Sequence, residues 1–135
     1  AYRVDARTRL GYILARGGFF KEAIDSLSSI RIDKEVLPAK VLSDYYISFG
    51  RVYHDLADYT KDNVFSSRYN QIGNELLMES LPYLSDSSTI YYVRGKVALK
   101  EDNFINELWN YVILLMRKHF LFFCPRWRMS TVNWD

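Results

Sequence analysis

Residues 9–27 read RLGYILARGGFFKEAIDSL, two apolar-periodic stretches on either side of a glycine pair. Before the pair, Val4, Leu10, Ile13 and Leu14 recur at the spacing of one helix face; after it, Phe20, Ala23, Ile24, Leu27 and Ile30 do the same. Gly17-Gly18 is the connection between them. The stretch therefore predicts one helical hairpin, with small residues at Gly11 and Ala23 where the two helices would touch.

The rest of the chain continues in kind. Pro38 suits a helix first turn, because its missing N–H would have no partner there, and it opens a long helix from about Leu37 to Tyr59. Asp62 is placed to cap the next helix, which runs to about Leu81, where Pro82 stops it. Ser87 or Ser88 caps a fifth helix reaching about Lys100, and a sixth begins near Phe104. Strand-like alternation and Asn-Gly or Asp-Gly hairpin turns are missing from the sequence. The expectation is an all-α protein of about six helices joined by short turns.

Internal repetition sharpens that expectation. LPAKVLSDYYISFGRVY (37–53) is echoed by LPYLSDSSTIYYVRGKVA (81–98). Aligning Gly50 with Gly95 places Tyr46 on Tyr91 and Val52 on Val97. Gly11 lies 39 residues before Gly50 (50 − 11), and Gly95 lies 45 after it (95 − 50). Such periods mark a solenoid, whose units hide their apolar faces only by stacking.

Leu10-Gly11, Leu14, Gly18, Phe20, Ala23, Leu27 and Ile30 resemble the small and large positions of a tetratricopeptide repeat (TPR). A second unit is similar at Tyr46, Phe49, Gly50, Tyr53, Ala57 and Tyr59, and a third at Tyr91, Gly95, Ala98 and Phe104. The resemblance implies a right-handed superhelix of antiparallel hairpins, a TPR-like α-solenoid, each hairpin pairing a first helix A with a second helix B. Three features depart from the pattern. The spacings of 39 and 45 exceed the usual 34 or so, Arg94 and Glu107 stand at places normally apolar or small, and the second B helix, Val64 to Leu81, lacks the alanine. Residues 1–104 form the repeats in this reading. Residues 105–135 form a C-terminal helix and tail packing on or extending the array.

YYISFGRVYHDLADYTKDN, with a long helix ending in LLMESLP, also resembles an uncharacterised group of transcriptional regulators of Gram-negative gut bacteria. Those proteins carry helical repeats before a membrane helix and an output segment. That resemblance implies a sensory or interaction region over roughly residues 1–104, periplasmic, with the cytoplasm as the alternative.

Composition bounds the function classes. Hydrophobic residues make up 49% of 135 and charged residues 25%, as in a folded domain with a sizeable core. The net charge of +2 argues against nucleic-acid binding by bulk positive charge. Residues 1–104 hold 14 Lys/Arg and 14 Asp/Glu, so the excess falls in the tail. The tail also holds all three tryptophans and Cys124, the sole cysteine, which excludes an internal disulfide. Two readings fit this shift: a helix packing on the array with an extended end, or a segment altered by a reading-frame change or truncation. Ala1 in place of Met points to a processed product or an excised fragment. LWNYVILLMRKHFLFFC (108–124) has Arg117, Lys118 and His119 at its middle, which excludes a membrane span.

Catalytic and cofactor signatures are missing. His54 and Asp58 share a helix face, but two ligands do not hold a metal. DYTKDN (58–63) lacks the glycine and distal glutamate of a calcium loop. Cys124 and His119 are badly spaced for a nucleophile and base, and no phosphate loop or nucleophile elbow occurs. The expectation is no enzyme, no metal and no cofactor. The TPR resemblance instead implies a groove lined by A-helix residues. Asp5, Thr8, Tyr12 and Arg16 would come from the first unit; Asp44, Ile47, Arg51, His54 and Asp55 from the second; Thr89, Tyr92, Lys96 and Lys100 from the third. Tyr12, Arg16, Arg51, His54, Tyr92 and Lys96 are the candidate partner-binding residues, suited to a protein or peptide and, by charge, to an acidic one. An uncapped last repeat allows a homodimer. The competing reading is nucleic-acid binding through Arg126-Trp127-Arg128 in the tail.

Overall fold

The computed structural model describes residues 2–123, with side-chain surroundings for residues 3–101, 109 and 111–118. Every described element is helical: α1 (Tyr2–Arg16), α2 (Phe20–Ser28), α3 (Ala39–Tyr59), α4 (Asn63–Ser80), a 3-10 turn (Leu81–Tyr83) and α5 (Ser87–Phe123). Five α-helices and one 3-10 turn make six helical elements. The all-α, TPR-like helical-repeat expectation holds.

The turns follow from their residues. At the end of α1, Phe19 N–H donates to the Leu14 carbonyl at 2.9 Å and Gly18 N–H to the Ala15 carbonyl at 3.0 Å. This is the paired closure of a Schellman motif, and it requires left-handed backbone at Gly18, where φ is +88°. Pro38 stands one place outside α3 and not within its first turn, its carbonyl accepting from Leu42 N–H at 3.1 Å. Asp62 caps α4 as expected, Oδ1 accepting from Val64 N–H at 2.9 Å and Phe65 N–H at 3.3 Å. Pro82 lies in the 3-10 turn that follows α4.

Two boundaries differ from expectation. The residue that gathers the start of α5 is Asp86, not Ser87 or Ser88. Its carboxylate accepts from the hydroxyls of Ser88 at 2.7 Å and Thr89 at 2.8 Å. Those hydrogen bonds hold its pKa below the usual carboxylate value. The break expected between Lys100 and Phe104 does not occur either; α5 continues to Phe123. Residues 101–103, Glu-Asp-Asn, contain no proline and no glycine to stop it.

The chain divides into two units, Ala1–Lys100 and Glu101–Asp135. In the first, a core of Ala15, Ala23, Leu27, Ile30, Leu42, Tyr45, Tyr46, Phe49 and Val52 joins α1, α2 and α3. The Tyr45 hydroxyl donates to the Leu27 carbonyl in the last turn of α2 at 3.0 Å, so this buried phenol also satisfies a helix end. A smaller cluster sets Leu77 of α4 against Val93 and Val97 of α5, flanked by Ile47, Leu81 and Leu84. In the second unit Trp109, Tyr111 and Leu114 are exposed.

Candidate interaction surface

The candidate residues are positioned by helix crossings whose closeness depends on small residues. A Cβ added at Gly11 would stand 2.6 Å from Leu27 Cγ, and one at Gly50 would stand 2.9 Å from both Leu77 Cγ and the Gly73 carbonyl oxygen. Gly11 and Gly50 thus do the same job in successive hairpins: each receives a leucine from its B helix. Gly73 is the missing small residue of the second B helix. Gly73 and Leu77 are four apart, as are Ala23 and Leu27. Sequence reading overlooked it because 27 residues separate Gly50 from Leu77 (77 − 50), against 16 between Gly11 and Leu27 (27 − 11). At Gly95 no described atom lies within 4 Å of the added Cβ.

Tyr12 and Arg51 each follow a contact glycine, and the register brings them together. The Arg51 guanidinium carbon lies 4.8 Å from the Tyr12 ring centroid, within cation–π range. Both side chains are half-buried. Arg16, one turn beyond Tyr12 on α1, is exposed; Tyr92 is exposed and Lys96 half-buried. Among the described residues, no carboxylate lies within 4 Å of Arg16, Arg51 or Lys96, whereas Asp5, Asp44 and Asp58 are paired with Arg9, Lys40 and Lys100.

Three of the residues expected in the groove are buried. Thr8 is buried with its hydroxyl donating to the Val4 carbonyl at 2.8 Å. Lys100 is 8% exposed and donates to Asp58 at 2.7 Å. His54 is 1% exposed, packed where α3 crosses α4, and leaves a partner no ring to touch. Its Nε2 meets Asn74 Oδ1 at 2.8 Å, while Nδ1 has no partner among the described residues. Burial lowers its pKa against the opposing hydrogen bond to Asn74, and the charges of Lys100 and Lys96 lower it further. His54 is therefore a neutral ring donating Nε2–H to Asn74. The i, i+4 spacing of His54 and Asp58 does not show this, because Asn74 sits 20 residues away on another helix.

Among the described residues no three His, Cys, Asp or Glu side chains gather into a group able to hold a metal, and no helix is long and apolar enough to cross a membrane. Arg126-Trp127-Arg128, Cys124 and Trp127 lie outside the described residues.

Paired helices locked by small residues at a repeating register, with one A helix touching the next through Tyr12 and Arg51, are the features of a TPR array. The family model for the SusR N-terminal TPR domain matches residues 1–119. The chain belongs to this family. The match runs past residue 104 and takes in the first part of the segment whose composition shifts. No curated protein and no solved structure matches the chain. TPR domains are protein–protein interaction modules, and membership of the family makes this chain one.

Proposed function

We propose that this TPR domain is the non-catalytic sensory or interaction part of a bacterial transcriptional regulator, and that it holds a protein or peptide partner on the face carrying Tyr12 and Arg51. The stack of Arg51 on Tyr12 carries the reading. It freezes a long cation and an aromatic ring before any partner arrives, so little rotamer entropy remains to be lost on binding. Arginine and tyrosine are also the side chains that dominate interface energetics when well packed. Arg16 on α1 and Tyr92 and Lys96 on α5 are the further residues this reading assigns to the partner, each at least partly exposed. His54 contributes from below, fixing the α3–α4 crossing on which Arg51 is mounted.

A photo-crosslinking residue placed at position 12 in the intact protein tests this in cells. It should trap a discrete partner, while the same residue at exposed Glu22 on α2 should not. Tyr12→Ala combined with Arg51→Ala should lose the partner with the helical circular dichroism unchanged. Equal trapping at both positions, or a double variant that keeps its partner, would remove the face from the proposal.

A further inference from the structure

His54 is buried, yet one of its ring nitrogens, Nδ1, has no partner among the described residues. Three helices set its electrostatic surroundings. From α4 it meets Gly73 and the amide of Asn74, both uncharged. From α5 come two cations, Lys96 and Lys100, whose charges act on the ring. On α3 itself Asp58 stands one turn further on, and its carboxylate is already engaged by Lys100 at 2.7 Å.

The neutral ring thus sits among two cations and one committed carboxylate. A proton added there would create a third cation. It would also turn Nδ1 into a buried N–H with no acceptor among the described residues, a costly arrangement away from water. Burial is the largest cause keeping the ring's pKa below its ordinary value, and the two lysines add to it against Asn74 and Asp58.

Of the elements that enclose His54, the first part of α5 is the easiest to displace. Residues 87–100 belong to the same unit as α1–α4. Between α3 and α4 the Gly50 and Gly73 backbones lie against each other, with Leu77 seated over Gly50. The start of α5 is held by Val93 and Val97 against Leu77 and by Lys100 on Asp58. The Asp58 side chain is 64% exposed, so water weakens that ion pair.

We propose that His54 is an acid-sensitive latch for the start of α5. While the ring is neutral, Lys96 and Lys100 close over it; when the ring is protonated, residues 87–100 lift away from α3 and α4. Lifting removes both lysines and lets water reach the ring, so the open state binds the proton more tightly than the closed one. Opening therefore begins as pH falls through the ordinary imidazole value of about 6.5 and levels off below the closed-state value. Tyr92 and Lys96 move with α5, so on the functional reading above acid also takes two residues from the partner.

Hydrogen exchange of the purified chain, read by mass spectrometry and corrected for the intrinsic effect of pH, tests the latch without any partner. Segments from residues 89–100 should open more as pH falls, by up to about tenfold per pH unit, the limit for one proton. Residues 45–52 in the larger core should stay protected over the same range. His54→Gln should abolish the rise, since its amide can still donate to Asn74 but takes no proton. Lys96→Met, at a half-buried position, should end the rise at a higher pH, because one opposing charge is gone. Opening of α5 that is indifferent to pH, or a rise that survives His54→Gln and so belongs to Asp58, would overturn the latch. A rise unaltered by Lys96→Met would remove that lysine from it. Equal loss of protection in residues 45–52 would mean whole-domain unfolding and would overturn local release.

Discussion

The α3–α4 hairpin and the start of α5 share one local pattern, a tyrosine four residues before a glycine, yet the two regions use it in opposite ways. Tyr46 is 9% exposed and Tyr91 72%. Gly50 lies under Leu77 and against the Gly73 backbone, while Gly95 has no described neighbour. The difference begins well downstream of either glycine. After Tyr59 the chain leaves helix at Thr60, whose ψ is 125°, and Asp62 caps a returning helix. After Lys100 the residues permit α5 to continue. A glycine on a helix is therefore a contact point only when a later turn brings a second helix back to it.

The largest way to break this comparison is to empty the occupied socket. Leu77→Ala should cost about 3–4 kcal/mol in urea unfolding, since Leu77 is fully buried and its neighbours come from both α3 and α5. A loss near that of an exposed leucine would show that the α3–α4 contact does not hold the domain. Gly73→Ala comes next, at roughly 2–3 kcal/mol. Its new methyl would stand 2.9 Å from the Gly50 carbonyl oxygen and against the His54 ring, so backbone itself must move. A variant as stable as wild type would refute the close crossing.

The same crossing carries a smaller, pH-dependent effect. His54 is held neutral, with a folded-state pKa below the ordinary imidazole value of about 6.5. As pH falls through the unfolded-state value the unfolded chain binds the proton first, so stability should decline there. The decline should level off below the folded-state pKa. His54→Gln should flatten that part of the pH–stability curve, and an unchanged slope would assign it to other groups. The smallest effect sharpens the contrast from the other side. Gly95→Ala should stabilise by about 0.5–1 kcal/mol, because it removes glycine's helix cost and meets no atom of the described residues within 4 Å. A loss instead would mean that Gly95 is covered within its own chain.

Much of this was legible in residues that act locally. Gly17-Gly18 gave its turn because only left-handed backbone closes it, and Asp62 gave its cap because a carboxylate reaches two amide groups beside it. Gly11 and Gly50 were legible through their 39-residue spacing, which set Tyr12 and Arg51 in equivalent places but did not show that they touch. Gly73 was not, because the lengthened second hairpin moved it out of step with Ala23. His54 was misplaced for a related reason. A histidine beside Arg51 on an amphipathic helix looks like a surface residue until Asn74 and Gly73 arrive from α4.

What the sequence determined alone, then, was the helical hairpin, its repetition and its family, since periodicity, caps and turns involve residues within a few positions of one another. Tertiary structure showed α5 as one helix from Ser87 to Phe123, and it decided which of the described glycines are occupied and that His54 is buried. Each of those depends on whether two segments distant in the chain meet, and local propensity carries no term for that.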